Sequence, residues 1–196
     1  MKKIHILIFM LIVTVFTGVT KAQVQFSFGP GVGLNFVTHS FSESDETYSK
    51  TGLLVTSQFD MQFSRRFALL IWADLYSDMS ATIDDVECNI TYLSISPTLK
   101  YCIPGSHFYL FAGPGFGIKT KGTVKDPDYG EGDISEMKMR TELRFGAGYE
   151  FYLSNKLTLT PFGKFNLGMS SVSSATDYDW QISALQFGIV LRYNAF

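Results

Sequence analysis

The sequence predicts an all-β fold, an eight-stranded antiparallel up-and-down transmembrane β-barrel, on three observations. The chain opens with an export signal, eight segments alternate apolar and polar residues with period two, and the connections between them are short and long in strict turn. A barrel of this kind needs strands with one face to lipid and one to a lumen, short periplasmic turns, longer external loops, and both termini in the periplasm. Beyond the first residues no stretch offers the about 18 consecutive apolar residues of a spanning helix, so a helical membrane protein is excluded. The expected location is the cell outer membrane.

Residues 1–22 carry Lys2 and Lys3, an apolar run from Ile4 to Val19, and Thr20-Lys21-Ala22 ahead of Gln23, the pattern of a secretory signal peptide. The residue directly after that point is Gln23 and not a cysteine, so lipid attachment there is excluded. The expected domains are thus 1–22, signal peptide, and 23–196, barrel. Losing Lys2, Lys3 and Lys21 takes the net charge from −2 to −5, which excludes nucleic acid as a partner. An aromatic content of 15% with only six prolines favours strands over disorder.

The first strand runs near Val24 to Phe36, with Phe26, Phe28, Pro30, Val32, Leu34 and Phe36 outward against Gln25, Ser27, three glycines and Asn35. The second, Gly52 to Phe63, sets Leu53, Val55, Phe59 and Met61 against Thr56, Gln58, Asp60 and Gln62. The third, Phe67 to Met79, sets Leu69, Ile71, Ala73 and Leu75 against Trp72, Asp74, Tyr76 and Asp78. The fourth, Thr91 to Ile103, sets Leu93, Ile95, Pro97, Leu99 and Tyr101 against Ser94, Ser96, Thr98 and Lys100. The fifth, His107 to Lys119, points Tyr109, Phe111, three glycines and Lys119 inward; the sixth, Lys138 to Tyr152, points Glu142, Arg144, Gly146, Gly148 and Glu150 inward. The seventh, Lys156 to Met169, sets Leu157, Leu159, Phe165 and Leu167 against Thr158, Thr160, Phe162, Lys164 and Asn166. The last, Gln181 to Phe196, sets Leu185, Phe187, Ile189, Leu191 and Tyr193 against Gln186, Gly188, Arg192 and Asn194, and ends on an aromatic.

Three connections are short: Ser64-Arg65-Arg66, Pro104-Gly105-Ser106 and Leu153-Ser154-Asn155. Four are long: Val37 to Thr51, Ser80 to Ile90, Thr120 to Met137 and Ser170 to Trp180. The long ones sum to −10 while the whole mature chain is −5, so the external side is acidic.

Inside the predicted barrel, glycines alternate with Trp72, Tyr76, Tyr109, Phe111 and Phe162, small against large across a narrow lumen. Inward acids Asp60, Asp74, Asp78, Glu142 and Glu150 balance inward bases Lys100, Lys119, Arg144, Lys164 and Arg192. A buried charge is costly unless paired, so the expectation is a salt-bridged plug. Pro30 and Pro114 fall mid-strand, where bulges or kinks are expected. Cys88, in a loop, and Cys102, far down the following strand, are expected as free thiols. The glycine run Gly113-Pro114-Gly115-Phe116-Gly117 has no helix after it and lacks dinucleotide-binding spacing.

The signal peptide, the strand Tyr109-Leu110-Phe111-Ala112-Gly113-Pro114-Gly115, its echo Phe28-Gly29-Pro30-Gly31 and the terminal aromatic together resemble the small outer-membrane barrels labelled PorT-like or porin-family, similar in architecture to the OmpA and OmpX barrels. The resemblance implies architecture; no residue here is diagnostic of a secretion-system role. Some barrels of this kind act on lipid A through a His and a Ser at the outer rim, and the matching residues would be His39 and Ser40, with Glu43 or Asp45 orienting them. Adjacent residues of a strand point to opposite faces, so no enzyme is expected. The run Asp126 to Asp133 lacks the spacing of a calcium loop. No catalytic residue, metal or cofactor is expected. The expected partners are outer-membrane lipid and lipopolysaccharide, the outer-membrane assembly machinery and a surface protein met by the acidic loops, with the protein a monomer. The expected role is structural or surface interaction. The alternatives are a small-solute channel, a secretion-system component and a lipid A-modifying enzyme.

Overall fold

The computed structural model describes residues 24–41, 47–83, 86–134, 137–172 and 179–195. The signal segment 1–22, Phe196, and the acidic residues Glu43, Asp45, Glu46, Asp84, Asp85, Glu136 and Asp177 lie outside the described residues. The strands are β1 (Gln25–Phe41), β2 (Thr47–Gln62), β3 (Phe67–Asp78), β4 (Ala81–Ile83), β5 (Val86–Cys102), β6 (Phe108–Asp126), β7 (Gly130–Asp133), β8 (Arg140–Tyr149), β9 (Phe151–Tyr152), β10 (Leu157–Gly168) and β11 (Trp180–Asn194). All pairings are antiparallel, and eight strands close a ring in the order β1, β2, β3, β5, β6, β8, β10, β11 and back to β1. Short β4 and β7 prolong the ring outward by pairing with β5 and β6, and β9 continues β8 past a break at Glu150. The three short turns sit together at one end, and Gly105 takes φ 74°, a left-handed conformation that glycine adopts without steric cost.

The faces follow the period-two pattern. Ile95 and Leu99 are each 55% exposed on the outer face, whereas Ser96, Thr98 and Lys100 between and beside them are buried. At the periplasmic end the outer aromatics meet in pairs across strands: Phe26 with Phe59, Phe28 with Tyr193, Phe67 with Tyr101 and Phe108 with Tyr149. These form the girdle that a barrel presents to a membrane interface.

Three sequence expectations need correction. Tyr76 does not point inward: Val55 pairs with Tyr76 and Thr56 with Asp74, which leaves Leu75 as the extra residue of a β-bulge. Beyond it the parity inverts, so Tyr76 is exposed and Ser77 takes the buried position. No bulge occurs at either proline, since Pro30 pairs in register with Ser57 and Pro114 with Leu143. One ladder lapses beside each instead, between Phe28↔Tyr193 and Gly31↔Val190, and between Ile95↔Phe116 and Leu99↔Ala112, where Pro97 and Pro114 fall opposite one another. A proline gives no N–H to a ladder, and a missing bond is tolerated there without inserting a residue.

The third correction concerns the long connections, much of which is strand. β1 runs on to Phe41 and β6 to Asp126, and Cys88 lies within β5 rather than in a loop. Both cysteines are free. In these extensions the pattern turns over. Along β5 the inward residues Cys88, Ile90 and Tyr92 are apolar and the outward Glu87, Asn89 and Thr91 polar, whereas from Leu93 onward the outward residues are apolar and the inward ones polar. The physical cause is a change of solvent: from Leu93 toward the short turn the outer face meets lipid, and from Tyr92 back to Val86 it meets water, so apolar side chains move inside. There Val37, Met79, Cys88, Ile90, Tyr92, Val172, Ile182 and Ala184 form an apolar core of the kind a soluble β-protein has.

Candidate functional site

The lumen is filled in layers. Nearest the periplasm, Lys100 Nζ contacts Asp60 at 2.5 Å and Glu150 at 2.6 Å, and Arg192 contacts Asp60 at 2.6 Å and Glu150 at 2.5 Å, a closed quartet of two acids and two bases. Above it lie Trp72, Tyr109, Phe111 and Phe162 with Leu54, Leu70 and Val190. Trp72 and Phe162 pack edge to face at 4.7 Å between centroids. Cations cap this layer from both sides, Lys100 at 4.5 Å from the Tyr109 ring and Lys164 at 4.2 Å from the Trp72 ring, positions that a ring's negative face favours.

The next layer is a chain of ion pairs. Arg140 meets Glu142 at 2.5 Å, Glu142 meets Arg144 at 2.6 Å, Arg144 meets Asp74 at 2.8 Å, and Asp74 meets Lys164 at 2.7 Å. Thr56 donates to Asp74 at 2.6 Å, and Arg140 also donates through Nε and Nη2 to the Ile182 carbonyl. Because β3 and β10 stand four places apart in the eight-membered ring, the Asp74–Lys164 pair spans its full width. Asn35, Ser77 and Gln186 add a neutral network beside it, with Asn35 Nδ2 donating to Ser77 Oγ at 2.9 Å and Gln186 to Asn35.

The balance of five acids and five bases is revised in detail. Asp78 accepts instead from the Ser80 backbone N–H and hydroxyl, and Lys119 donates to the Ile134 carbonyl, both in the outer extension. Arg140, buried and ion-paired, was not among the expected inward bases, although it stands in phase with Glu142 and Arg144. That parity was the signal for it. The expected pairing of small and large residues is present: a Cβ at Gly146 would meet Phe111, one at Gly148 would meet the Tyr109 ring, and one at Gly188 would meet Phe162.

His39 and Ser40 are adjacent on β1 and face opposite ways, His39 buried and Ser40 exposed. Trp180 Nε1 donates to His39 Nδ1 at 3.0 Å, and the same indole stacks on Phe41 at 5.6 Å, so His39 belongs to the apolar lining of the outer rim. Glu43 and Asp45 lie outside the described residues. In the run Asp126 to Asp133, Asp126 Oδ1 accepts the N–H groups of Asp128 and Tyr129 and so fixes the turn between β6 and β7. Among the described residues no group of three or more His, Cys, Asp or Glu side chains is arranged to hold a metal ion.

A closed ring of antiparallel strands with an apolar outer belt, aromatic girdle and polar filled lumen defines a small transmembrane β-barrel. The chain belongs to the outer membrane protein beta-barrel domain family, whose pattern it matches over residues 8–194, and it is an outer-membrane protein. It is similar in fold to the solved outer membrane protein OprG of Pseudomonas aeruginosa, at 12% identity and TM-score 0.55, covering 88% of this chain and 96% of that one. It is also similar to Neisserial surface protein A, NspA, at 11% identity and TM-score 0.51, covering 85% and 96%. Among curated proteins none matches.

Proposed function

We propose that this protein is a sealed barrel whose role is to hold its acidic outer hairpins at the cell surface, as a structural or surface-interaction element rather than a channel or an enzyme. The observation that carries this reading is the Asp74–Lys164 pair spanning the ring. A solute would have to break that pair, the aromatic layer below it and the apolar core above it in succession. Eight strands leave an interior just wide enough for side chains, whereas water-filled porins need about 16 to 18. The outer hairpins would meet lipopolysaccharide-bound cations or a surface protein, the barrel would be a monomer delivered by the outer-membrane assembly machinery, and the mature chain would begin at Gln23. A PorT-like kinship, carried by the two Gly-Pro-Gly motifs, belongs to the same proposal.

The test is conductance in planar bilayers. The purified protein should show no steady porin-like current, and Lys164→Ala or Arg144→Ala should destabilise the fold before any current is seen. A long-lived wild-type conductance whose selectivity either substitution alters, with folding intact, would replace this reading with a channel.

A further inference from the structure

The periplasmic mouth holds two adjoining clefts, one of about 440 Å³ and one of about 200 Å³, which share Gln62, Glu150 and Tyr152 in their linings. The larger is within the size range of small-molecule sites. At its inner end stands the quartet of Asp60, Lys100, Glu150 and Arg192, whose charges cancel through four mutual contacts. The larger cleft, with its charges cancelled, does not concentrate anions or cations, and the smaller adds the single cation Arg65 to its lining. Its rim carries Gln25, Ser27, Gln62 and Asn155, hydroxyl and amide side chains that each both donate and accept hydrogen bonds.

Tyr152 lines both clefts. Its hydroxyl donates to Glu150 Oε2 at 2.7 Å, its ring meets His107 edge to face at 5.4 Å, and the residue is still 58% exposed. It is therefore an aromatic face held in one orientation at the edge of a polar cleft, with room on either side. Hydroxyls and acetamido groups match side chains that both donate and accept, the axial hydrogens of a sugar ring match an aromatic face, and a chain of sugars matches two clefts flanking one ring.

We propose that this vestibule binds an uncharged amino-sugar chain presented from the periplasm. The vestibule ends at the ion quartet, so the proposal goes beyond the sealed-barrel reading and stands or falls apart from it.

The experiment titrates chitotriose, a neutral chain of N-acetylated amino sugars, into the full-length protein in lipid nanodiscs, with saturation-transfer NMR as the readout. Saturable binding is expected, weakened about tenfold or more by Tyr152→Ala. Tyr129→Ala, at the external tip, should leave it unchanged. Heat-modifiable gel migration checks that each variant is folded. Should Tyr152→Ala fail to fold, the double substitution of Gln62→Ala and Asn155→Ala takes its place with the same expected loss. Affinity should hold within about twofold as salt rises from about 0.05 to about 0.5 M, because screening weakens only charge-driven binding. Absence of saturable binding, equal binding by wild type and the vestibule variants, or binding abolished by salt would each overturn the proposal.

Discussion

Lys100 and Arg192 stand on strands four places apart in the ring and share the same two acceptors, Asp60 Oδ2 and Glu150 Oε1. Each carboxylate therefore holds two cations, and each cation two carboxylates. Removing one carboxylate leaves an uncompensated buried charge, at a cost of about 3–5 kcal/mol, so Asp60→Ala should destabilise by that amount. Adding Lys100→Met removes the excess cation, and the double variant should recover part of the loss. Urea unfolding in lipid vesicles, followed by gel migration, measures both. Simple additivity of the two substitutions would contradict the shared arrangement.

Glycines separate by what their missing side chain would touch. At Gly188 a Cβ meets the Val32 carbonyl and Phe162, with backbone on one side and a packed ring on the other, whereas at Gly132 nothing lies within 4 Å. Gly188→Ala should lower the folded yield sharply and Gly132→Ala should leave it unchanged. Overpacking typically costs about 1–3 kcal/mol, so a Gly188→Ala protein as stable as wild type would show that β1 and β11 can part there.

The change of solvent along β5 makes a third prediction. Ile95 faces lipid and Thr91, four residues nearer the outside, faces water. A Lys on the lipid face costs about 2–4 kcal/mol at the bilayer midplane and little near the interfaces. Ile95 lies between interface and midplane, so Ile95→Lys should cost about 1–2 kcal/mol and Thr91→Lys less than about 0.5 kcal/mol, by the same unfolding measurement. Equal costs at the two positions would move the membrane boundary.

The part of the fold that meets lipid was legible because the bilayer imposes one rule on every strand: Leu93, Ile95, Leu99 and their counterparts had to alternate with polar neighbours. The ion clusters followed from the same parity, since a charge at an inward position has only other inward charges to pair with. The reading failed where that rule stops. Val37, Cys88 and Ile90 resemble loop residues when apolar-outward is the only pattern sought, yet they alternate just as strictly with apolar side chains inward. Tyr76 failed for another reason, because a single extra residue at Leu75 inverts parity and leaves no mark in composition. The quartet's sharing of acceptors lay beyond sequence altogether, since it depends on strands that meet only when the ring is closed.

The turnover of faces at residues 92 and 93 works as a depth gauge. A barrel with one uniform greasy band can ride up or down in the bilayer at small cost. Here a shift toward the periplasm would carry Glu87, Asn89 and Thr91 into hydrocarbon, and a shift outward would strand Leu93 in water, so the resting height has a restoring force on both sides. From Val86 to Tyr92, seven residues rise above that line. At about 3.3 Å each and a tilt of about 40°, they lift the tip of β5 roughly 18 Å beyond the hydrocarbon. The headgroup zone takes up only about 5–7 Å of that on each side. Whatever meets the outer hairpins therefore meets them clear of the lipid surface, at an altitude the chain itself has set.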